Sequence, residues 1–344
     1  MHRRGGGRKS HLLFNEIISL ENLFSAWKEF KKGKTKRPDV QRFEFNLEDN
    51  LFELQQELKT KTYTHSDYTP FYITDPKLRH IHKAGVKDRI VHQAVFRVLY
   101  PVFDKNFIHD SYSCRIGKGT HRAVIRLNKF CNKLSKNNSV NIYVLKCDIK
   151  KFFDSIDQKI LLEIIKRKVQ NKSIVWLVRK ILGSFEKEND KGLPLGNVTS
   201  QLFANVYLNE LDQFIKHKLK VKYYIRYCDD FVILGQDKDN LIKLSGKINE
   251  FLNTDLNLSL HSDKITIRKY RQGIDFLGYV TLPYHRVLRY KTRRRILKKL
   301  AKKKKLLKQG LTSEDSFNQS VQSYLGIVSH CRGYKIKQDI LNLK

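Results

Sequence analysis

Two runs of β-branched and aromatic residues, Tyr223-Tyr-Ile-Arg-Tyr227 and Phe231-Val-Ile-Leu234, flank Cys228, Asp229 and Asp230. That pattern predicts strand, tight turn, strand, with two neighbouring acids held at the turn. A third strand is predicted over residues 141–148, Asn-Ile-Tyr-Val-Leu-Lys-Cys-Asp, ending on Asp148. The segment Ile149-Lys-Lys-Phe-Phe-Asp-Ser-Ile-Asp157 follows, and a helix is predicted from about Gln158. Phe203, Val206, Tyr207, Leu211, Phe214 and Ile215 recur at helical spacing and predict a helix over residues 202–219. A loop rich in turn formers, Gly192-Leu-Pro-Leu-Gly-Asn-Val-Thr-Ser-Gln201, opens that helix. Upstream, Ile90-Val91, Ala94-Val95, Val98-Leu99 and Val102-Phe103 repeat with the same period and predict a core helix. No repeat of solenoid period is present.

Neighbouring anions on a hairpin repel each other, and a cation that bridges them removes the penalty. Asp is a natural oxygen ligand for Mg²⁺. An acid at the end of one strand facing two acids on a hairpin is the arrangement that two-metal phosphoryl transfer requires. In the plainer alternative, Asp229 and Asp230 belong to a solvated turn, Asp148 caps the following segment, and Asp154 and Asp157 decorate a surface. A Gly-containing loop that opens a helix lets backbone N–H groups approach a nucleotide, though most such loops are only turns.

The ordered segments "CDIKKFFDSID", "GLPLGNVTSQLFANVYLNELD", "RYCDDFVIL", "LSLHSDKITI" and "IDFLGY" resemble the palm motifs of reverse transcriptases, in the right order and at the right spacing. The resemblance runs from about Asn22 to about Arg332. It implies an α+β right-hand polymerase fold: fingers, an antiparallel palm sheet backed by helices, and a short helical thumb. The division it implies is residues 1–145 for a basic arm and fingers, 146–283 for the palm and 284–344 for a basic helical thumb. Asp148, Ile149, Asp229 and Asp230 would hold two Mg²⁺ ions, and Lys264 would act as general acid beside the pyrophosphate. Phe153, rather than its neighbour Phe152, would be the aromatic gate against a 2′-hydroxyl. Lys77, Arg79 and Arg89 would meet the triphosphate, an arrangement suited to guanidinium geometry. Leu195, Gly196 and Gln201 would surround the nascent pair. Arg115 would support the templating base, Gly278 and Tyr279 fall in the primer-grip turn, and Arg293 and Arg294 would follow the duplex.

One departure narrows the family. Group II intron and retroviral enzymes usually carry Gln before the loop Gly and Ser-Pro after it, where this chain has Leu195 and then Ser200-Gln201. That form resembles the diversity-generating retroelement reverse transcriptases. The resemblance implies error-prone copying at adenines of a template-repeat RNA, dNTPs as substrates, an RNA–DNA hybrid product and a small accessory variability protein. The alternative is a defence-associated or retron-like bacterial reverse transcriptase. A non-catalytic RNA-binding module would not need all three acids.

Charge agrees with a polyanionic partner. Of 344 residues, 68 are Lys or Arg against 34 Asp or Glu, a formal net charge of +34. Cations at that density bind phosphates and release counterions. After Arg286 the chain reads as a basic helix, with Arg289, Lys291, Arg293, Arg294 and Arg295 leading into Lys298–Lys305. Little chain follows, so no RNase H or endonuclease domain is expected. No run approaches the roughly 18 apolar residues of a spanning helix. Met1-His-Arg-Arg-Gly-Gly-Gly-Arg-Lys-Ser10 leads into no secretory apolar run and reads as a flexible basic arm. Cys114, Cys131, Cys147, Cys228 and Cys331 are scattered and odd in number, which argues against disulfides and zinc and for a reducing cytoplasm.

Overall fold

A computed structural model describes residues 6–75 and 77–343, and the chain divides into two compact units. The first takes in the segment ending at Arg115 together with Ile149–Lys220 and Lys247–His261. The second takes in Ile116–Asp148, Val221–Gly246 and the segment from Ser262 onward. Both units are discontinuous in sequence. Residues 1–5 of the expected basic arm lie outside the described residues, and from Gly6 the chain is helical to Ile17.

In the first unit, the helix Val86–Asp104 buries Ile90, Val91, Ala94, Val95, Val98, Leu99 and Phe103, the face its periodicity predicted, while Val102 is only partly covered. The helix Leu20–Lys31 packs against it. Buried Asn22 ties the two by donating to the Ala94 carbonyl at 3.2 Å and accepting from Arg97 Nε at 2.9 Å. An antiparallel hairpin precedes it, β1 (Thr69–Ile73) and β2 (Arg79–Lys83), with Thr69 opposite Lys83 and every β1 residue exposed. The helix Gln158–Val169 starts where expected, because the Asp157 carboxylate accepts from the N–H groups of Lys159 at 2.9 Å and Ile160 at 3.0 Å. Asp157 is thus a helix cap, a role the plainer reading had given to Asp148 while leaving Asp157 on the surface. The helix expected over residues 202–219 begins earlier, at Val198, and is α-helical only to Gln213. Thr199 and Ser200 are buried, so packing extends the helix back through residues of modest propensity. Its last turn, Phe214–Lys218, widens to a π-helix whose Phe214 ring stacks on Phe251 at 4.1 Å.

The second unit is built on a wholly antiparallel sheet of four strands: β3 (Tyr143–Asp148), β4 (Tyr224–Tyr227), β5 (Asp230–Gly235) and β6 (Thr266–Lys269). Their order is β4-β5-β3-β6. Val144, Leu145, Cys147, Phe231, Val232 and Ile233 are buried in it, and the helix Thr120–Leu134 packs on β4 and β5. A smaller sheet of β7 (Ile274–Phe276), β8 (Tyr279–Thr281) and β9 (Arg286–Leu288) follows. The β7–β8 turn holds Leu277 at φ +51° and Gly278 at φ +86°, the left-handed pair that a two-residue hairpin turn demands. The expected basic helix is Tyr290–Lys308, which buries Ile296 and Leu300. It contacts the helices Glu314–Val328 and Tyr334–Asn342. Among the described residues no helix is long and apolar enough to cross a membrane.

Candidate active site

The sheet of the second unit brings the three expected aspartates to one end. Asp148 closes β3 directly opposite Asp230, which opens β5. Tyr227 pairs with Asp230, so Cys228 and Asp229 form the two-residue turn between β4 and β5. Cys228 sits at φ +56°, a left-handed conformation that costs a non-glycine residue about 1–3 kcal/mol. Arg226, with none of its surface exposed, donates from Nη1 to the Cys228 carbonyl at 3.1 Å and holds that turn.

Two lysines face these acids. Lys264 Nζ donates to Asp148 Oδ1 at 2.7 Å, and Lys146 Nζ stands 3.4 Å from Asp230 Oδ2. Lys264 was expected here; Lys146 was not. Its signal was present in the sequence, since a residue two before Asp148 on a strand shares its face. Asp230 Oδ1 is buried and has no hydrogen-bond partner. Burial pushes the Asp230 carboxyl up to about 6, against the partial relief of the Lys146 ammonium. Asp229 is raised in the same direction, first by burial and then by the Asp148 carboxylate. Burial likewise pushes the Cys147 thiol up to about 12, which makes it a neutral packing group.

Among the described residues, no three His, Cys, Asp or Glu side chains stand gathered as a ready metal cluster. The donor set nevertheless fits a hard divalent cation: carboxylate oxygens, one of them orphaned in a buried position, with ammonium groups holding two of the acids.

The other expected residues fall into the two units separately. In the second unit, Tyr279 is buried and donates its hydroxyl to the Ile327 carbonyl at 2.9 Å, while burial pushes its phenol up to about 12. Arg293 pairs with Asp339 at 2.9 Å, and Arg294 is exposed. In the first unit, Phe152 is buried and Phe153 is partly exposed, their rings 5.4 Å apart edge to face. Of the two, Phe153 is therefore the more exposed ring. Ile149 is buried and bridges Leu260. The Leu195 carbonyl accepts from His82 N–H at 3.1 Å, which joins the loop to β2. Gly196, at φ +127°, lies so close to β2 that a Cβ would stand 3.3 Å from the His82 carbonyl oxygen. Gln201, Lys77 and Arg79 are exposed.

Two expected phosphate or template contacts are committed internally. Arg89 binds Asp39 at 3.0 Å and lies over the Phe30 ring at 4.7 Å. Arg115 donates to Asp104 at 2.6 Å and to the carbonyls of Ile108 and Ser111 at 2.6 and 3.0 Å, with its side chain 6% exposed. It staples its loop and presents little to a template base directly.

A family model, "Reverse transcriptase (RNA-dependent DNA polymerase)", matches residues 74–281, more than half of the chain. The chain belongs to this family. The α+β right-hand polymerase class expected above stands with that membership. Its relatives include intron-encoded proteins. The group II intron-encoded protein LtrA of Lactococcus lactis is 23% identical over 303 residues, covering 67% of this chain and 49% of that protein. Protein YkfC of Escherichia coli is 24% identical over 256 residues, 63% of this chain and 65% of that one. The COX1/OXI3 intron 2 protein of Saccharomyces cerevisiae is 22% identical, with 56% of this chain and 29% of that protein matched. The chain thus spans less than two thirds of the length of these relatives. A solved structure of Candida tropicalis telomerase with a telomeric RNA fragment aligns with 80% of this chain and 56% of that one, at 16% identity and a TM-score of 0.47.

Proposed function

We propose that the chain is an RNA-directed DNA polymerase whose acidic centre is Asp148, Asp229 and Asp230. The observation that carries this reading is the β3–β5 register, which sets Asp148 across from Asp230 with Asp229 in the adjoining turn. Asp148 and Asp229, assisted by Asp230 and by Ile149, the residue after Asp148, would hold two Mg²⁺ ions. When bound, such cations stabilise the attacking and leaving oxygens of an in-line displacement. Lys264 would act as general acid toward the departing pyrophosphate. Lys77 and Arg79 would serve the triphosphate, Arg89 would act only indirectly through its ion pair with Asp39, and Phe153, Leu195, Gly196 and Gln201 would serve the base pair and sugar. Gly278 and Tyr279 would hold the primer strand and Arg293 and Arg294 the duplex. Arg115 would act from beneath, by fixing its loop. In this reading residues 1–145 serve as arm and fingers, 146–283 as palm and 284–344 as thumb, in a cytoplasmic enzyme.

The experiment is primer extension on an RNA template with Mg²⁺ by the wild type and Asp229→Asn. The variant should lose extension and keep RNA affinity, which comes from a basic surface. Extension near the wild-type rate would sink the assignment.

The finer reading is template-repeat copying by a diversity-generating retroelement enzyme, with adenine-directed errors and an accessory variability protein as partner. The Leu195 to Gln201 sequence supports it. Intron-encoded relatives such as LtrA favour a second reading, copying of an intron RNA. Sequenced complementary DNA separates them. Substitutions concentrated at template adenines support diversification, and rare or evenly spread errors support the intron-like or defence-type enzymes.

A further inference from the structure

Val144, Lys146 and Asp148 alternate along β3 and share one face. That face lines a cavity of about 290 Å³ whose other walls include Lys264, Arg268 and Asp275. Lys146 makes two contacts there. Its Nζ stands 3.4 Å from Asp230 Oδ2 and donates to the Asp275 backbone carbonyl at 2.9 Å. Asp275 is the middle residue of β7, the first strand of the hairpin that turns at Leu277-Gly278. The Asp275 carboxylate accepts from Arg289 Nε at 2.6 Å, and the Arg289 backbone N–H donates to the Gly278 carbonyl at 2.9 Å. Arg289 is the residue that precedes the basic helix Tyr290–Lys308. One ammonium group therefore joins the second carboxylate of the pair to the hairpin, and the hairpin is joined in turn to the basic helix.

We propose that Lys146 is a positioning residue that couples Asp230 to the β7–β8 hairpin, holding the acid until a divalent cation competes for it. This inference rests on the polymerase reading of the three acids. The same group has opposite effects on two ligands. Its charge opposes cation binding at Asp230, and its hydrogen bond supports the hairpin that would hold the primer. Removing it should tighten one affinity and loosen the other, a pairing that general damage to the fold does not produce.

The test uses the full chain with Lys146→Met, Lys146→Gln and Lys146→Arg, each checked for folding by circular dichroism. Mn²⁺ binding is read by electron paramagnetic resonance without nucleic acid, and primer–template KM and kcat by extension. Lys146→Met should bind Mn²⁺ about tenfold more tightly, the lower end of what a neighbouring opposite charge does to a carboxylate. Its primer–template KM should rise several-fold, with a smaller change in kcat. Lys146→Gln, which keeps a donor for the Asp275 carbonyl, should show the tighter Mn²⁺ binding with KM near wild type. Lys146→Arg should restore both. Unchanged or weaker Mn²⁺ affinity in the folded Met and Gln variants overturns the proposal, and so does an unchanged KM in Lys146→Met. If the wild-type chain makes no DNA, the polymerase reading fails, and the Mn²⁺ titration still decides whether Lys146 guards Asp230.

Discussion

Replacing Asp230 by Asn should stabilise the metal-free protein while impairing its chemistry. Burial raises the Asp230 carboxyl from the ordinary 3.8 to about 6, with the help of Lys146 already included. That gap corresponds to about 3 kcal/mol of folding free energy withheld at neutral pH. The sign follows from which form the fold prefers. A carboxyl whose folded pKa is raised contributes stability below its unfolded pKa, and that contribution is lost as pH rises through about 6. Asn is neutral, nearly the same shape, and has no such dependence. Lys146 keeps its bond to the Asp275 carbonyl when the carboxylate is removed, so no orphaned ammonium offsets the gain. Urea denaturation in EDTA should therefore place Asp230→Asn above wild type by about 2–3 kcal/mol near pH 7.5, with about half of the difference left at pH 5 and most of it gone by about pH 4. Mg²⁺ should stabilise the wild type more than the variant, because it supplies the missing countercharge only where the carboxylate exists. A destabilised variant at pH 7.5, or a difference that does not shrink on acidification, would refute the reasoning.

If Phe153 is the sugar gate, Phe153→Ala should raise ribonucleotide over deoxyribonucleotide incorporation by an amount equivalent to about 1–3 kcal/mol, measured by competition in extension. An unchanged ratio in the folded variant assigns the gate elsewhere. Leu195→Gln should lower misincorporation at template adenines in sequenced complementary DNA; no change removes Leu195 from the fidelity argument. Asp157→Ala should cost about 1 kcal/mol by loss of the helix cap, measured by urea denaturation, and leave the KM for dNTPs unaltered. A changed KM means that Asp157 does more than cap.

The elements nearest the acids were legible because their signals are local. Alternating β-branched and aromatic residues around Cys228-Asp229-Asp230 specify strand, turn and strand without reference to anything distant. The Val86–Asp104 helix was legible for a similar reason, a sustained apolar period of 3.6. What escaped was decided by tertiary context. The exposed β1 strand carries no hydrophobic alternation because neither of its faces is buried. Strands β7 to β9 are three residues each, too short for periodicity to register. The early start of the helix at Val198 comes from burial of Thr199 and Ser200, which propensity alone does not foresee. Arg115 and Arg89 show the same limit for charge, since a guanidinium reads alike in sequence whether it meets a phosphate or an aspartate of its own chain. Lys146 was readable from strand alternation, but its partners lie at residues 230 and 275.

The strand order of the main sheet also sets a timetable for the chain's birth. β3, spanning residues 143–148, lies between β5 at residues 230–235 and β6 at residues 266–269. Both neighbours emerge from a ribosome long after it. At about 5–20 residues per second, β5 lags β3 by on the order of ten seconds and β6 by longer. During that interval Val144, Leu145 and Cys147 have neither their ladder partners nor their packing. The strand that carries the first acid is therefore an unsatisfied, aggregation-prone edge for as long as its sheet is incomplete. Slow-translating stretches between residues 148 and 230 would prolong that exposure, and yield in a cell should respond to chaperone supply more than the folded protein's stability suggests.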